Sequence, residues 1–430
     1  MDNYHREKEG LRTHTSIHTE VIIIGAGPAG AGVSIFLTKA GIPHIILEKE
    51  TFPRDKICGD ACSGKTAFVL RKANASWMED IFKNTSQYAP SHGIVFVSPN
   101  GKALNIPFNP DRIIEGQAPG FLSPRLVFDN FLFHKLASPF ATIFQQSSVK
   151  TIEREAVKGV KVSFTQGNEN YELSAPLIIG ADGDKSQVRK VLLNKNIAAR
   201  AYCVGLRGYY KGVGGMHEKN FIELHFLPEV LPGYLWIFPL TNGMSNVGIG
   251  MPSDKIRDKK INLRETMLNA IKNNRNINYR FTNATLTGKI QGWGLPTCLK
   301  RQPLSGDNFL LTGDAAGLID PFTGEGIGNA LFSGMLAAYA AESSLKAGRY
   351  DAASIKENYD DVLFKRIGDE LKMSALLQRM CNYPWLFDFV VRKAHKSPTL
   401  NTAITSMFTD LDLRKQIRKP SFYAKILFNK

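Results

Sequence analysis

The hydrophobic pattern near the start of the chain predicts a strand, a helix and a second strand in close succession. Residues 20–24 form a mostly β-branched run, which is typical of a parallel strand buried on both faces. A glycine-rich turn at 25–30 opens a helix that runs to about Ala40, and residues 45–47 form the next strand. This order indicates an α/β domain built on a parallel sheet.

The following segment mixes alternating strand patterns with helical ones, as expected when a sheet is inserted among the elements of an α/β domain. The predicted elements are a hairpin at 93–107, an amphipathic helix at 125–137, short strands at 160–164 and 171–173, a buried strand at 176–179 and a helix from about Ser186.

From residue 202 to residue 251 the pattern becomes a series of strands separated by Gly and Pro turns, which predicts an antiparallel sheet and a second domain. The predicted strands are 203–210, 220–226, 234–240 and 246–250. Tyr234, Trp236 and Phe238 alternate along the third of them, so their rings project from one face. These rings either form ordinary core or line a cavity at the domain interface, and we favour the cavity.

The glycines after the first strand have the spacing of a dinucleotide-binding turn. Gly25 permits a tight turn, Gly27 allows a pyrophosphate to approach the backbone, and Gly30 allows the helix to pack on the strand. Glu48 ends the second strand, where a carboxylate accepts a hydrogen bond from a ribose hydroxyl. An acid at this position disfavours a 2′-phosphate, so FAD or NAD fits and NADP does not.

Two later segments, like the glycine turn at 25–30, each follow a buried strand, and each contains an aspartate beside glycine. Gly180-Ala-Asp182-Gly183 follows a buried strand, and Gly313-Asp314 follows another, before Pro321 and Gly324-Glu-Gly326 open a long helix. In this order the three segments resemble the FAD-dependent oxidoreductases built like para-hydroxybenzoate hydroxylase, and within them the geranylgeranyl reductase family. The resemblance covers about residues 20–340 and implies FAD rather than NAD.

Two shorter segments strengthen the resemblance to the reductases. Residues 52–59 are similar to the cysteine-bearing loop that reaches the flavin in that family, and residues 234–239 are similar to its aromatic substrate strand. The cofactor-binding residues that we expect are Gly25, Gly27, Pro28, Ala29, Gly30, Glu48, Lys49, Lys56, Gly59, Arg125, Asp182, Gly183, Gly313, Asp314, Pro321, Gly324, Gly326 and Ile327. The candidate catalytic residues are Cys58, Asp60, Tyr234, Trp236 and Phe238.

Three of these side chains have competing interpretations. Cys58 is either a thiol of the substrate pocket or a small packing residue. Asp60 either relays protons with a raised pKa or caps the next helix, and we favour the cap. Arg125 begins a helix pattern and either contacts the cofactor, as the resemblance implies, or belongs to a simple amphipathic helix.

The resemblance and the pattern together give a domain scheme: an α/β fold with a Rossmann-type FAD-binding domain, an inserted, mainly antiparallel substrate sheet and a C-terminal helical region. We expect a disordered tail at 1–18, the FAD-binding domain at 19–90, 123–195 and 291–345, the substrate domain at 91–122 and 196–290, and a basic helical region at 346–430.

The composition of the chain limits the binding partners and the cellular compartment that we expect. The chain has 430 residues and a formal net charge of +15, and its last 41 residues hold nine Lys/Arg against two Asp/Glu. This charge attracts anionic lipid head groups or an acidic electron donor, or is simply a soluble basic face; no nucleic-acid module accompanies it. Five scattered cysteines indicate a reducing cytoplasm, and the nine histidines form no metal-ligand cluster.

The function expected from these features is reduction of a carbon–carbon double bond in an isoprenoid or other apolar substrate by reduced FAD. The first alternative is a flavin monooxygenase that hydroxylates an aromatic or lipid substrate, because fold alone does not separate the two. The second is a flavin-bound carrier without turnover. No second glycine fingerprint is present, so NAD(P)H or a ferredoxin-like protein would deliver electrons transiently.

Overall fold

The computed structural model describes residues 15–108, 118–155 and 159–397. The strands are β1 Thr15–His18, β2 Val21–Ile24, β3 His44–Leu47, β4 Ala61–Cys62, β5 Ala89–Ser91, β6 Gly93–Val97, β7 Ala103–Pro107, β8 Gly120–Leu122, β9 Ala141–Phe144, β10 Ser147–Glu155, β11 Gly159–Gln166, β12 Glu169–Ala175, β13 Leu177–Gly180, β14 Tyr202–Lys211, β15 Ile222–His225, β16 Tyr234–Pro239, β17 Met244–Pro252, β18 Thr285–Pro296, β19 Ser305–Gly306 and β20 Phe309–Leu311.

The helices are α1 Pro28–Lys39, α2 Gly64–Ala73, α3 Ser76–Lys83, α4 Arg125–His134, α5 Ser253–Lys259, α6 Leu263–Asn273, α7 Ile327–Ala347, α8 Ala352–Ile355, α9 Asp361–Met380 and α10 Pro384–Lys396.

A six-stranded sheet of order β19-β20-β13-β2-β3-β9 forms the centre of the first domain. Strands β20, β13, β2, β3 and β9 pair in parallel, and only β19 runs antiparallel to its neighbour. The carboxyl ends of parallel strands share one edge, so the loops after β2, β3, β13 and β20 gather there. These loops carry the predicted nucleotide segments, and the predicted Rossmann-type domain is confirmed.

A second sheet of order β1-β12-β11-β10 adjoins the first domain, and it corrects the predicted tail. Residues 15–18 are not disordered, because they pair in parallel with β12, with Thr15 opposite Tyr171 and His18 opposite Ser174. Ile17 packs against the main hydrophobic core, which supplies the apolar contact that holds this edge strand. Residues 1–14 of the predicted tail lie outside the described residues.

The second domain, for which we predict a substrate role, is a seven-stranded sheet of order β18-β14-β17-β16-β15-β6-β7. The predicted hairpin at 93–107 is confirmed as β6–β7 and joins this sheet through a parallel pairing with β15. All other neighbours in the sheet are antiparallel. Strand β18 continues to Pro296, so this sheet extends past the boundary predicted at residue 290. The small β4-β8-β5 sheet is hydrogen-bonded separately from it but packs in the same apolar cluster.

Close packing of α1 on α7 places two helix starts side by side. A Cβ added at Gly32 would lie 2.7 Å from the backbone oxygen of Leu331, so only glycine allows the helices this distance. As a result, the N-terminal ends of both helices line one cavity, together with the carboxyl ends of the parallel strands.

The C-terminal helices pack back onto both domains. The Tyr359 hydroxyl donates to the backbone oxygen of Leu311 at 2.7 Å, and the Gln378 side-chain amide donates to that of Pro321 at 2.5 Å. The segment just before α9 is therefore attached to the six-stranded sheet, and the end of α9 is attached to the loop before α7. Residues 398–430, most of the predicted basic end, lie outside the described residues.

Candidate active site

A single large cavity of about 1910 Å³ lies between the first domain, the seven-stranded sheet and α9. It brings together most of the predicted site residues, although they are spread over 300 positions of the chain. Those that line it are Gly25, Gly27, Pro28, Ala29, Glu48, Lys49, Lys56, Cys58, Gly59, Arg125, Asp182, Gly183, Tyr234, Trp236, Phe238, Asp314, Gly324, Gly326 and Ile327.

Four predicted residues do not line the cavity, and each lies just behind it. A Cβ at Gly30 would overlap the backbone oxygen of Gly25, and one at Gly313 would lie 2.9 Å from the Ala29 side chain, so both permit close packing. Pro321 contributes its backbone oxygen to Gln378. Asp60 is fully buried.

The end of the cavity at the glycine turn has two helix N-termini that lack side-chain caps. Gly27 precedes α1 and Gly326 precedes α7, and neither helix has a side-chain cap. The first N–H groups of such helices attract anions. Nearby, the Glu48 carboxylate accepts from the backbone nitrogens of Ala26 at 2.7 Å and of Glu50 at 2.9 Å, which fixes its orientation at the cavity wall.

Backbone N–H groups that follow Asp182 hold its carboxylate in place. One carboxylate oxygen of Asp182 accepts from the backbone nitrogens of Gln187 at 2.7 Å and Val188 at 3.3 Å. Burial raises the pKa of this carboxyl. Asp182 therefore orders the turn that follows β13, while Gly183 continues that turn along the cavity with a φ of +79°.

Opposite charges meet in the middle of the cavity. The Lys56 ammonium lies 2.8 Å from the Asp314 carboxylate, so the loop after β3 contacts the loop after β20. Arg207, almost fully buried, donates to Asp55 at 2.6 Å, and its guanidinium lies 4.1 Å from the centre of the Tyr209 ring. The Arg207–Asp55 pair links the seven-stranded sheet to the first domain, whereas Lys56–Asp314 joins two loops of the first domain.

The buried Arg125, which lies near Cys58, shares a carboxylate partner with Arg54. Arg125 donates twice to Asp129, at 2.6 and 2.7 Å, and Arg54 donates to the same carboxylate at 2.6 Å. Burial alone would raise the pKa of Asp129, but the two guanidinium groups hold it below its usual value. Burial raises the pKa of the Cys58 thiol, against the opposing effect of Arg125. Cys58 is therefore a protonated thiol at neutral pH.

Asp60 is the acceptor at the centre of a buried hydrogen-bond network. It accepts from the Tyr209 hydroxyl at 2.7 Å, the Asn246 amide at 2.8 Å and the backbone nitrogen of Arg125 at 3.3 Å. Burial raises the pKa of Asp60 to about 6, even though Asn246 and Tyr209 stabilise the charged form. Its backbone φ is +67°.

The cap that we favoured for Asp60 is therefore misplaced. The next helix, α2, is capped by Ser63, whose hydroxyl accepts from the backbone nitrogen of Lys65. Asp60 instead bonds the first backbone nitrogen of α4, which lies 65 residues further along the chain. A long-range pairing of this kind leaves no local signal in the sequence.

The aromatic strand forms the wall beyond Cys58. Tyr234, Trp236 and Phe238 all line the cavity, with successive ring centres 6.2 Å apart. The Tyr234 hydroxyl donates to the backbone oxygen of Thr323 at 2.6 Å, which leaves its ring as the exposed apolar surface. A Cβ at Gly59 would lie 3.0 Å from the Phe238 ring, so the cysteine loop packs directly on this strand.

Asn246 is a well-connected residue beside the cavity that the sequence did not indicate. Its amide oxygen accepts from the Trp236 indole at 2.9 Å, and its amide nitrogen donates to the Cys58 backbone oxygen at 2.7 Å as well as to Asp60. Lys65 is a second such residue, since it pairs with Glu370 of α9 at 3.2 Å inside the cavity. Neither belongs to a motif; both depend on distant partners.

The described residues contain no helix that is long and apolar enough to cross a membrane.

Comparisons with known proteins agree with this geometry. A family model described as an FAD binding domain matches residues 18–338. Digeranylgeranylglycerophospholipid reductase of Methanosarcina mazei is 27% identical over 367 residues, which cover 84% of this chain and 84% of that protein. The reductase of the same name from Thermoplasma acidophilum is 26% identical over 81% of this chain and 83% of its own length.

Solved structures share the fold. A geranylgeranyl bacteriochlorophyll reductase-like protein from Thermoplasma acidophilum superposes with a TM-score of 0.77 at 21% identity, covering 94% of this chain and 99% of that one. The flavin-dependent brominase Bmp2 superposes with a TM-score of 0.72 at 20% identity, covering 95% and 99%. At these identities the superpositions establish the architecture alone.

The match over most of the chain and the assembled glycine, Glu48 and Asp314 segments give one conclusion: the chain belongs to the FAD binding domain family and is an FAD-dependent oxidoreductase that is similar in sequence to digeranylgeranylglycerophospholipid reductases.

Proposed function

We propose that this enzyme reduces carbon–carbon double bonds of an isoprenoid or other apolar, lipid-like substrate. The observation that carries the proposal is the continuity of one cavity from the glycine turn to the aromatic strand. The named relatives are reductases of a digeranylgeranylglycerophospholipid. A long hydrocarbon needs an apolar, extended site, and the aromatic end of the cavity provides one.

The residues at the other end fit FAD. The start of α1 would face the pyrophosphate, Glu48 the ribose of the adenosine half, and Asp314 the ribityl chain. The start of α7, just after Gly326, would face the pyrimidine edge of the ring. The fit rests on the two uncapped helix starts and on the Glu48 carboxylate, whose orientation is fixed by two backbone donors.

Bound and reduced FAD supplies the hydride. The side chains of this protein position the alkene and exclude water from it. Trp236, which is held by Asn246, and Phe238 form the wall against which the alkene packs. Cys58 holds a proton at its Sγ atom in the same part of the cavity, and we assign it as the candidate proton donor. Asp60 is buried behind Cys58 and is a positioning residue, because it acts through the loop that the two residues share.

The electron donor is proposed to be NAD(P)H or a ferredoxin-like protein that docks transiently. The one glycine fingerprint, at Gly25, lies in the FAD site, so a nicotinamide would have to bind outside it. We further propose a cytoplasmic enzyme that contacts the membrane surface peripherally, since a formal net charge of +15 favours anionic lipid.

The test is a single-turnover experiment on the FAD-loaded protein. The flavin is reduced with dithionite without oxygen, a geranylgeranyl-bearing glycerophospholipid is added, and the lipid is analysed by mass spectrometry. We expect the lipid to gain hydrogen in pairs while the flavin absorbance returns. A lipid that gains oxygen only when air is admitted would instead establish the monooxygenase, and reoxidation with an unchanged lipid would refute both.

Substitution of Glu48 by Gln is expected to weaken FAD binding about tenfold, because an amide cannot accept from two backbone donors and a ribose hydroxyl with both of its terminal atoms. Glu79→Gln is the matched control, since its carboxylate is exposed beside Lys83 and lies outside the cavity. Titration of apoprotein with FAD, followed by flavin fluorescence, measures both affinities. Equal FAD affinities of the two variants would show that Glu48 does not bind the cofactor.

A further inference from the structure

Helix α9 forms one wall of the cavity although it lies beyond the segment that matches the family model. The α9 residues that line the cavity recur every three or four positions, which defines one face of the helix. Among them are Lys365, Arg366, Glu370, Met373 and Leu377.

The character of this face changes along the helix. Lys365 and Arg366, in the first half, are exposed at the cavity rim. Glu370, in the middle, is buried in its pair with Lys65. Leu377, near the end, packs against the apolar cluster that contains Trp236 and Phe322. The wall therefore runs from cationic at the surface to apolar beside the aromatic strand.

Helix α2 continues the cationic end on the opposite side. The pair of Lys65 with Glu370 joins α2 to α9 across the cavity. On the face of α2 that carries Lys65, Phe68 and Arg71 also line the cavity, and the Phe68 ring lies 6.3 Å from that of Phe332 in α7. The surface end of the cavity thus combines an apolar floor with cationic side chains.

Among the described residues at this end is one acid, which lies near an exposed lysine. Asp369 lines the cavity, but the Lys372 ammonium lies 4.0 Å from its carboxylate. Among the described residues at the rim, Lys365 and Arg366 are exposed cations, and they make its potential positive.

We propose that this rim binds the phosphate of an anionic lipid head group, with Lys365 and Arg366 as the binding side chains. The hydrocarbon then follows α9 inward, past Met373, to the aromatic strand, so the substrate enters tail first and its head stays at the α2–α9 opening. This orientation rests on the proposed function, because it assumes a lipid substrate. Arginine and lysine in a mixed set suit phosphate oxygens.

The test compares the double variant Lys365→Ala/Arg366→Ala with the double variant Lys72→Ala/Lys211→Ala. Both remove two positive charges, but Lys72 and Lys211 are exposed outside the cavity. Each FAD-loaded protein is assayed with a geranylgeranyl phospholipid and with uncharged geranylgeraniol. We expect only the α9 variant to raise KM for the phospholipid, about tenfold, with kcat and the geranylgeraniol KM unchanged.

Two results would overturn the head-group site: an equal rise in KM for the charged and uncharged substrates, or a rise for NADPH with the phospholipid KM unchanged. Equilibrium binding of the phospholipid, followed by tryptophan fluorescence, separates this proposal from the reductase proposal. If the wild-type protein reduces no alkene but binds the phospholipid about tenfold more tightly than the α9 variant, the reductase proposal fails and the head-group site stands. Equal binding by the two proteins refutes the site.

Discussion

Gly25→Ala is expected to reduce FAD affinity by about a hundredfold or more. Gly25 has a φ of +99°, which costs a side-chain-bearing residue about 1–3 kcal/mol. The added Cβ would also lie 2.5 Å from the backbone oxygen of Ala181, so β2 and β13 would have to separate at their carboxyl ends. That movement displaces the turn from the start of α1, where we place the pyrophosphate.

Gly167→Ala is the matched control for this prediction. Gly167 also has a positive φ, of +59°, but a Cβ there would meet nothing within 4 Å. It lies in the turn between β11 and β12, outside the cavity. Both variants thus carry backbone strain, and only Gly25→Ala adds the collision. Flavin content after purification and a binding titration should separate them; if Gly25→Ala retains wild-type flavin, the turn is not the pyrophosphate site.

Asn246→Leu is expected to lower the free energy of unfolding by about 4 kcal/mol at pH 8. Leucine has a similar size but leaves the Trp236 indole and the Cys58 backbone oxygen without their partner, and unsatisfied buried groups cost about 1–3 kcal/mol each. It also removes one of the donors to Asp60. Denaturant unfolding measures the loss.

This loss should depend on pH in a defined direction. Burial raises the pKa of Asp60 from 3.8 to about 6, so the folded wild-type protein loses stability as the pH rises from about 4 to about 6. Without the Asn246 donor the folded-state pKa rises further, and the variant keeps losing stability above pH 6. Each additional pKa unit corresponds to about 1.4 kcal/mol. The destabilisation should therefore be larger at pH 8 than at pH 5.

Trp236→Phe tests the loss of one hydrogen bond in this network without a change in the groups that bond to Asp60. It removes the indole N–H bond to Asn246 but leaves the donors to Asp60 in place. We expect a loss of about 1–2 kcal/mol with the pH dependence of the wild-type protein. If Asn246→Leu shows the same destabilisation at pH 5 and pH 8, Asp60 is not the titrating group in this network.

The network also bears on reactivity. Asn246 joins the Trp236 ring to the Cys58 loop, so a change that frees it should move the wall and the thiol relative to each other. In the single-turnover assay, Asn246→Leu should therefore slow alkene reduction more than Trp236→Phe does. Comparable rates for the two variants would limit Asn246 to a structural role.

Local patterns in the sequence were sufficient for the FAD-binding domain. The β-branched run of β2, the three glycines after it and Glu48 lie within about thirty residues, and their backbone requirements can be read without knowing any distant partner. The alternation of Tyr234, Trp236 and Phe238 likewise placed three rings on one face, because a strand has a period of two. These elements form as the pattern predicts.

The tertiary structure alone decided how Asp60, Asn246, Lys65 and α9 take part. Asp60 and Asn246 are 186 residues apart, and Lys65 and Glu370 are 305 apart, so neither pairing follows from spacing. Their partners depend on the order of strands in the seven-stranded sheet and on where α9 packs, which the sum of many weak apolar contacts determines. The role of a buried polar side chain depends on its hydrogen-bond and ion-pair partners, and here the fold brings those partners from distant parts of the chain.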